Sequence, residues 1–252
     1  MKRLRGYQSN FSKILPDAMY NRERREQKAQ TMLAVLKDHL KSDLKSFSLL
    51  DVGCSTGFIA NYLATYFGEV IGIDIDESAV NFAKRQFDKD NLEFVKINSQ
   101  KMKFPENEFD AVICAHIYEH VPNAGRLLGE IFRVLKPGGV CYFAASNRIN
   151  FIEPHYHLPF LSVLPRALAH LYIRASRKAN FYYEKHLTYW GLKKLVCRFE
   201  RIDYTKKIIQ QPQRFEADYM LRPNTHRARL AQLIIKHAYW LCPTYIWLLR
   251  KP

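Results

Sequence analysis

Apolar and polar positions change period several times along the chain, and the changes divide it into elements. The first sixteen residues show no clear period. From Asp17 to about Ser46, Leu33, Leu36, Leu40 and Leu44 recur at spacings of three and four between charged residues, which predicts one long helix. The charged run Arg22–Glu26 falls on its solvated face. Short apolar runs then alternate with amphipathic ones: strands are predicted at 48–52, 69–74, 92–97, 109–114 and 140–144, and helices at 58–67 and 77–87. Leu127, Ile131, Val134 and Leu135 mark a further helix that stops at Pro137-Gly138-Gly139. Residues 146–187 break this rhythm with aromatics, His and Pro, and read as an inserted cap. Thr188 is placed to cap a helix with Leu192, Leu195, Val196 and Phe199 on one face. Arg201–Ile209 reads as a sixth strand, 224–241 as a basic amphipathic helix and Thr244–Leu249 as the last strand. Strands alternating with helices predict an α/β fold, a mostly parallel seven-stranded sheet with helices on both faces and an inserted helical, aromatic cap. The expected division is an N-terminal helical segment at 1–46 and one domain at 47–252, with insertions at 146–187 and at 210–243 before the last strand.

Composition changes this picture in one respect. With 252 residues, 48% hydrophobic and 25% charged, the chain is an ordinary globular one, but its net charge is +15 and its pI about 9.6. Such an excess favours anionic partners: nucleic acid, phospholipid headgroups or an acidic substrate. The five cysteines, Cys54, Cys114, Cys141, Cys197 and Cys242, stand singly and read as small buried hydrophobes in a reducing compartment. Met1–Arg5 is basic but no apolar signal core follows it, so the expected location is cytoplasmic, with peripheral contact at the inner face of a membrane as the further expectation. The apolar stretch Leu230–Leu249 holds Lys236, His237 and Pro243, and is better split at the proline than read as a span.

The chemistry concentrates in Leu50-Asp51-Val52-Gly53-Cys54-Ser55-Thr56-Gly57, between a predicted strand and a helix. Glycines there let the backbone turn and a ligand approach, and the helix start offers unpaired N–H groups. Asp74 ends the next strand, where a carboxylate can accept both hydroxyls of a ribose. The glycine spacing does not fit a dinucleotide fingerprint, and Asp51 would repel a pyrophosphate but pair with an ammonium group. A ligand with a ribose and an amino-acid end satisfies both: S-adenosylmethionine (SAM).

Asp51–Gly57 resembles the first motif of class I SAM-dependent methyltransferases, with Ser55 where many members have glycine, and Gly72-Ile73-Asp74 resembles their ribose-binding acid motif. Phe104–Asp110 and Arg133–Gly139 resemble the runs before their fourth and fifth strands, so the likeness covers about residues 45–145. It implies a Rossmann-like fold and a cofactor-binding set of Asp51, Gly53, Cys54, Ser55, Gly57, Asp74, Ile75, Asn98, Ser99 and His116. Asn98 departs from the acid usual beside the adenine amine but can still accept from it.

The acceptor is expected beyond the carboxyl ends of the strands, near the segments after Cys114 and Ala145 and the aromatic insertion. Methyl transfer to a hydroxyl needs a general base, and His155 and His157 are the candidates, with His186 behind them. Ala115–Pro122 resembles the Glu-x-x-Glu-His-Val-Pro run of quinone-biosynthesis O-methyltransferases, where the resemblance implies a divalent metal at His116, Glu119 and His120. Two imidazoles and one carboxylate are an incomplete shell, so the expectation is no metal. The leading function is SAM-dependent O-methylation of a small, lipid-like or glycan-lipid acceptor, with an anionic membrane surface as a partner. Two alternatives stand beside it: an RNA-modifying methyltransferase, and a SAM-binding membrane-surface protein without turnover. Against RNA, the chain has no Asn/Asp-Pro-Pro-Tyr/Phe motif after the fourth strand and no Pro-Cys nucleophile.

Overall fold

A computed structural model of the chain describes residues 8–252; the basic stretch Met1–Arg5 lies outside them. The described residues open with two single-turn helices, α1 (Phe11–Ile14) and α2 (Pro16–Met19), and a long one, α3 (Arg22–Leu40). The helix expected over 17–46 is therefore broken at both ends. Asn21 caps α3, its side chain accepting from Arg24 N, and Lys41 ends it in the left-handed region with φ 49°.

Strand β1 (Ser48–Val52), α4 (Phe58–Ala64), β2 (Glu69–Asp74), α5 (Glu77–Gln86), β3 (Leu92–Lys96), β4 (Phe109–Ala115), α6 (Ala124–Val134) and β5 (Leu135–Ser146) follow in turn. After them come α7 (Arg166–Ala175), α8 (Tyr189–Leu195), β6 (Glu200–Asp203), α9 (Tyr204–Gln210), α10 (His226–His237) and β7 (Thr244–Arg250). The strands form one sheet in the order β3-β2-β1-β4-β5-β7-β6. The first five are parallel; β7 runs antiparallel between β5 and β6. The strand order reverses at β1, and ligands bind in such sheets at that crevice, beyond the strands' carboxyl ends.

Three readings are corrected. Strand β6 stops at Asp203, because that carboxylate accepts from Lys206 N and starts α9, while Thr205 Oγ1 accepts from Ile246 N at 2.9 Å and pins the helix to β7. Helix α6 ends at Val134 and β5 begins immediately, so Pro137-Gly138-Gly139 belong to the strand. Helix α8, capped by Thr188 through Gly191 N, ends before Val196 and Phe199, though both are buried.

Two apolar cores cover the sheet's faces. One packs α3 and α4 against β1 and β2 through Leu36, Leu49, Leu63 and Phe67; the other packs α6 and α8 through Ile131, Phe143, Leu192 and Trp247. The insertion has its own small core of Leu158, Leu161, Ala169, Ile173 and Tyr182. Among the described residues no helix is long and apolar enough to cross a membrane.

Candidate functional site

A cavity of about 430 Å³ opens at the carboxyl ends of β1, β2 and β4, roofed by α1–α3. The turn from β1 into α4 shapes its floor. Gly53 has φ +76°, and a Cβ there would stand 2.2 Å from Ile117 Cδ1. Gly57 has φ +79°, and its Cβ would meet Phe94 and Ala83 within 2.8 Å. Ser55 adopts φ +50° with a side chain, and its N–H donates to Asp74 Oδ2 at 2.8 Å. Asp74 Oδ1 accepts from Asp76 N at 2.9 Å, so the acid at the end of β2 is fixed by two backbone donors.

Asp51 is buried at the end of β1, and burial, with Asp74 adding to it, pushes its carboxyl up to about 7 although Arg25 opposes the shift. Arg25 lines the same cavity; burial lowers its guanidinium pKa while Asp51 and Asp74 counteract. Arg25 Nε and Asp51 Oδ2 are both buried with no hydrogen-bond partner among the described residues. Such groups are costly unless a ligand completes them. An anion-binding and a cation-binding atom in one cavity match the carboxylate and ammonium of an amino-acid end, and Asp74 in the same lining suits a ribose, so these residues fit SAM.

Arg25 was expected on a solvated face. Arg22–Arg24 are exposed, but Arg25 is turned inward, one helical turn before the buried Ala29 and two before Met32. That stripe at 25, 29, 32 and 36 was the signal available in the sequence. The roof is tied down by Ser12, whose N and Oγ donate to Asp76 Oδ2 at 2.9 and 2.7 Å, and by Thr56 Oγ1 donating to Met19 O at 2.6 Å. Phe11, Leu15, Met19 and Met32 give this side of the cavity an apolar lining.

Of the cofactor set, Asp51, Gly53, Ser55, Asp74, Ile75, Asn98, Ser99 and His116 line the cavity. Cys54 and Gly57 do not: the Cys54 thiol is buried facing Ser55 O, and Gly57 serves the turn and the packing of Phe94. Asn98 Oδ1 accepts from Gln100 N at 2.9 Å.

The histidines gather at the cavity's other wall. His155 lines it, and its Nδ1 lies 2.7 Å from Glu153 Oε1. His186 Nε2 approaches the same oxygen at 3.2 Å, and Glu153 Oε2 accepts from the N–H groups of His155 and Tyr156, both at 2.8 Å. Burial opposes both shifts in this pair. Even so, the Glu153 hydrogen bond and the Glu184 charge raise the His155 pKa above its usual value, while the two imidazoles hold Glu153 down at about 2. His157 is a correction: it is exposed, with φ +55°, its N–H donating to Glu153 O, and it does not line the cavity.

The trio His116, Glu119 and His120, which the resemblance suggested as a metal site, is not among the clusters with metal-ligand spacing in the described residues. Those are Glu119, His120 and His155, and Glu153, His155 and His186. His116 instead sets Nδ1 3.1 Å from Ser146 Oγ and 3.6 Å from Glu119 Oε1. His120, pulled by burial down to about 3, sets Nδ1 2.6 Å from Gln8 Oε1. Sequence spacing hid the partnership of His155 with His120 and His186, whose rings lie 4.8 and 5.7 Å from it.

Residues 50–143 match a family model described as "Methyltransferase domain". A fatty-acid O-methyltransferase of Mycolicibacterium smegmatis is 34% identical over 56% of this chain and 50% of its own length. A demethylmenaquinone methyltransferase of Lactococcus lactis subsp. lactis is 34% identical over 49% of this chain and 52% of its own. The chain thus spans about half the length of these curated relatives. A solved SAM-dependent methyltransferase from Methanosarcina mazei is 26% identical, with a TM-score of 0.52, over 67% of this chain and 85% of that one.

Proposed function

We propose that this chain, a class I SAM-dependent methyltransferase through its residues 50–143, methylates an oxygen of a small, lipid-like acceptor. SAM supplies a methyl group on a positively charged sulfur, which leaves with its bonding pair once the methyl is transferred. The chain's own part is to hold and to exclude water. Asp51 accepts hydrogen bonds from an ammonium group, Arg25 donates to a carboxylate, and Asp74 accepts from ribose hydroxyls. Asn98 and Ser99 contact the base. The apolar lining keeps water from competing as acceptor.

At the opposite wall His155 takes the acceptor's proton. With Nδ1 committed to Glu153, Nε2 is left as the basic atom, and the carboxylate steadies the imidazolium that forms. The observation that carries the reading is Arg25 Nε and Asp51 Oδ2, both without a hydrogen-bond partner among the described residues, lining one cavity with Asp74. The apolar acceptor is supported by Phe11, Leu15, Val121 and Ile246 in the lining, and by relatives named for a fatty acid and a demethylmenaquinone. The test is incubation with methyl-labelled SAM and a total cell extract, followed by solvent partition. Label is expected in the organic phase, in a species 14 Da heavier; label in RNA or polypeptide instead would sink the acceptor reading.

A further inference from the structure

The insertion at 146–187 carries the most exposed apolar residues close to the cavity. Asn150, Pro154 and His155 line the cavity, while Phe151 and Ile152 between them turn outward, 64% and 51% exposed. The neighbouring turn brings Phe160 and Val163 alongside: Phe160 N donates to Phe151 O at 2.7 Å, the Phe151 and Phe160 rings meet at 4.7 Å, and both latter side chains are exposed. Helix α7 adds Leu168 and Leu171, one turn apart on its outer face, while Ala169 and Ile173 fill the insertion's core. Phe151, Phe160 and Val163 thus form an exposed apolar patch, Ile152 adjoins it in the chain, and Leu168 and Leu171 add exposed apolar side chains on the helix that follows; soluble surfaces seldom carry so many without use.

The charge on the insertion is one-sided. Arg148, Arg166, Arg174, Arg177, Lys178 and Lys185 are all exposed on the insertion. Its only carboxylates, Glu153 and Glu184, are buried and turned toward histidines. An insertion that exposes apolar side chains together with six cations and no acid is complementary to anionic headgroups over an acyl layer. A second copy of this chain would bring the same cations against these. Single-stranded nucleic acid would use the cations but has no partner for Ile152, Val163, Leu168 and Leu171, which offer no ring to stack on a base.

We propose that the insertion docks on an anionic lipid bilayer, sinking Phe151, Ile152, Phe160, Val163, Leu168 and Leu171 below the headgroups and setting the cavity mouth at the interface. This surface deepens the acceptor reading above and rests on it for its purpose: an acyl or prenyl acceptor enters sideways from the lipid, without crossing water. The test uses the full chain, sedimented with phosphatidylglycerol–phosphatidylcholine vesicles and with phosphatidylcholine alone. Binding is expected to the anionic vesicles, to weaken at high salt, and to fall about tenfold or more in the double variant Phe151→Ser/Phe160→Ser. SAM affinity by calorimetry is expected unchanged in that variant, which shows that the fold and the cofactor site survive. No binding of the wild type to anionic vesicles, or equal binding by the variant, would overturn the docking surface while leaving the methyltransferase reading in place. A wild-type dimer that the double variant abolishes in velocity sedimentation would also overturn it, giving the patch to a second copy.

Discussion

Arg25 and Asp51, on α3 and at the end of β1, line one cavity with opposite charges, and Arg25 Nε and Asp51 Oδ2 are both left without a hydrogen-bond partner among the described residues. The carboxyl of Asp51, pushed up to about 7 first by burial, is half-protonated near neutrality until a cation arrives. SAM affinity is therefore expected to rise with pH through about 7 and to level off above it. Asp51→Asn should bind about 10 to 100 times more weakly, as for the loss of one charged hydrogen bond, with a flat profile between pH 6 and 8. Calorimetry across that range is the check.

The same group acts on stability in the opposite sense. Between the ordinary carboxylate value of 3.8 and about 7 the folded chain holds a proton on Asp51 that the unfolded chain has released. Stability of the ligand-free protein is therefore expected to fall as pH rises through this window, and in Asp51→Asn the fall should shrink. Thermal melts at pH 5 and pH 7.5 measure it.

Arg25→Ala should weaken SAM binding about 10 to 100 times without unfolding the chain, because its Nε has no hydrogen-bond partner among the described residues to abandon. Arg25→Lys should recover part of the loss. Equal affinity in all three proteins, read by calorimetry, would remove the guanidinium from the site.

His155 must be neutral to take a proton, and Glu153 and Glu184 hold its pKa above 6.5. Turnover is expected to rise with pH to an inflection above that value. Glu153→Gln should shift the inflection to lower pH and slow turnover about 10 to 100 times, and His155→Ala should remove the inflection. His157→Ala should leave the profile unchanged, since that side chain stands outside the cavity. The readout is kcat against pH.

Ser55 holds φ +50°, where glycine would sit without steric cost. Ser55→Gly is expected to relieve up to about 1 kcal/mol of strain and so to raise the melting temperature slightly. Gly57→Ala, with φ +79° and Phe94 and Ala83 within 2.8 Å of the new methyl, should lower it by several degrees. Differential scanning calorimetry distinguishes the two.

What the sequence revealed follows from the range of its signals. The turn at Asp51–Gly57 and the acid at Asp74 are local, one loop and one strand end, and their residue types alone state what they can bind. Six of the strands, β1–β5 and β7, were legible for the same reason. Arg25 was not, because it sits in a run of charges and its meaning comes from Asp51, brought near only by the packing of α3 on α4. Nor was the grouping of His120, His155 and His186, which lie 35 and 31 residues apart and meet only when the insertion folds over β4 and β5. The β6 error has a different source. Ile202, Tyr204 and Ile208 fit both periods, and Asp203 settled the matter by capping a helix.

The roof over the cavity is tied to the turn and the strand end proposed to hold the cofactor. Ser12 hangs on Asp76, whose own N–H steadies Asp74, and Met19 is held by Thr56, inside the glycine turn. Doorway and handhold thus share their hinges. On the proposed function, a change that loosened this roof to hasten exchange of spent cofactor would also slacken the grip on fresh cofactor, so speed of entry and tightness of hold would be coupled in this chain.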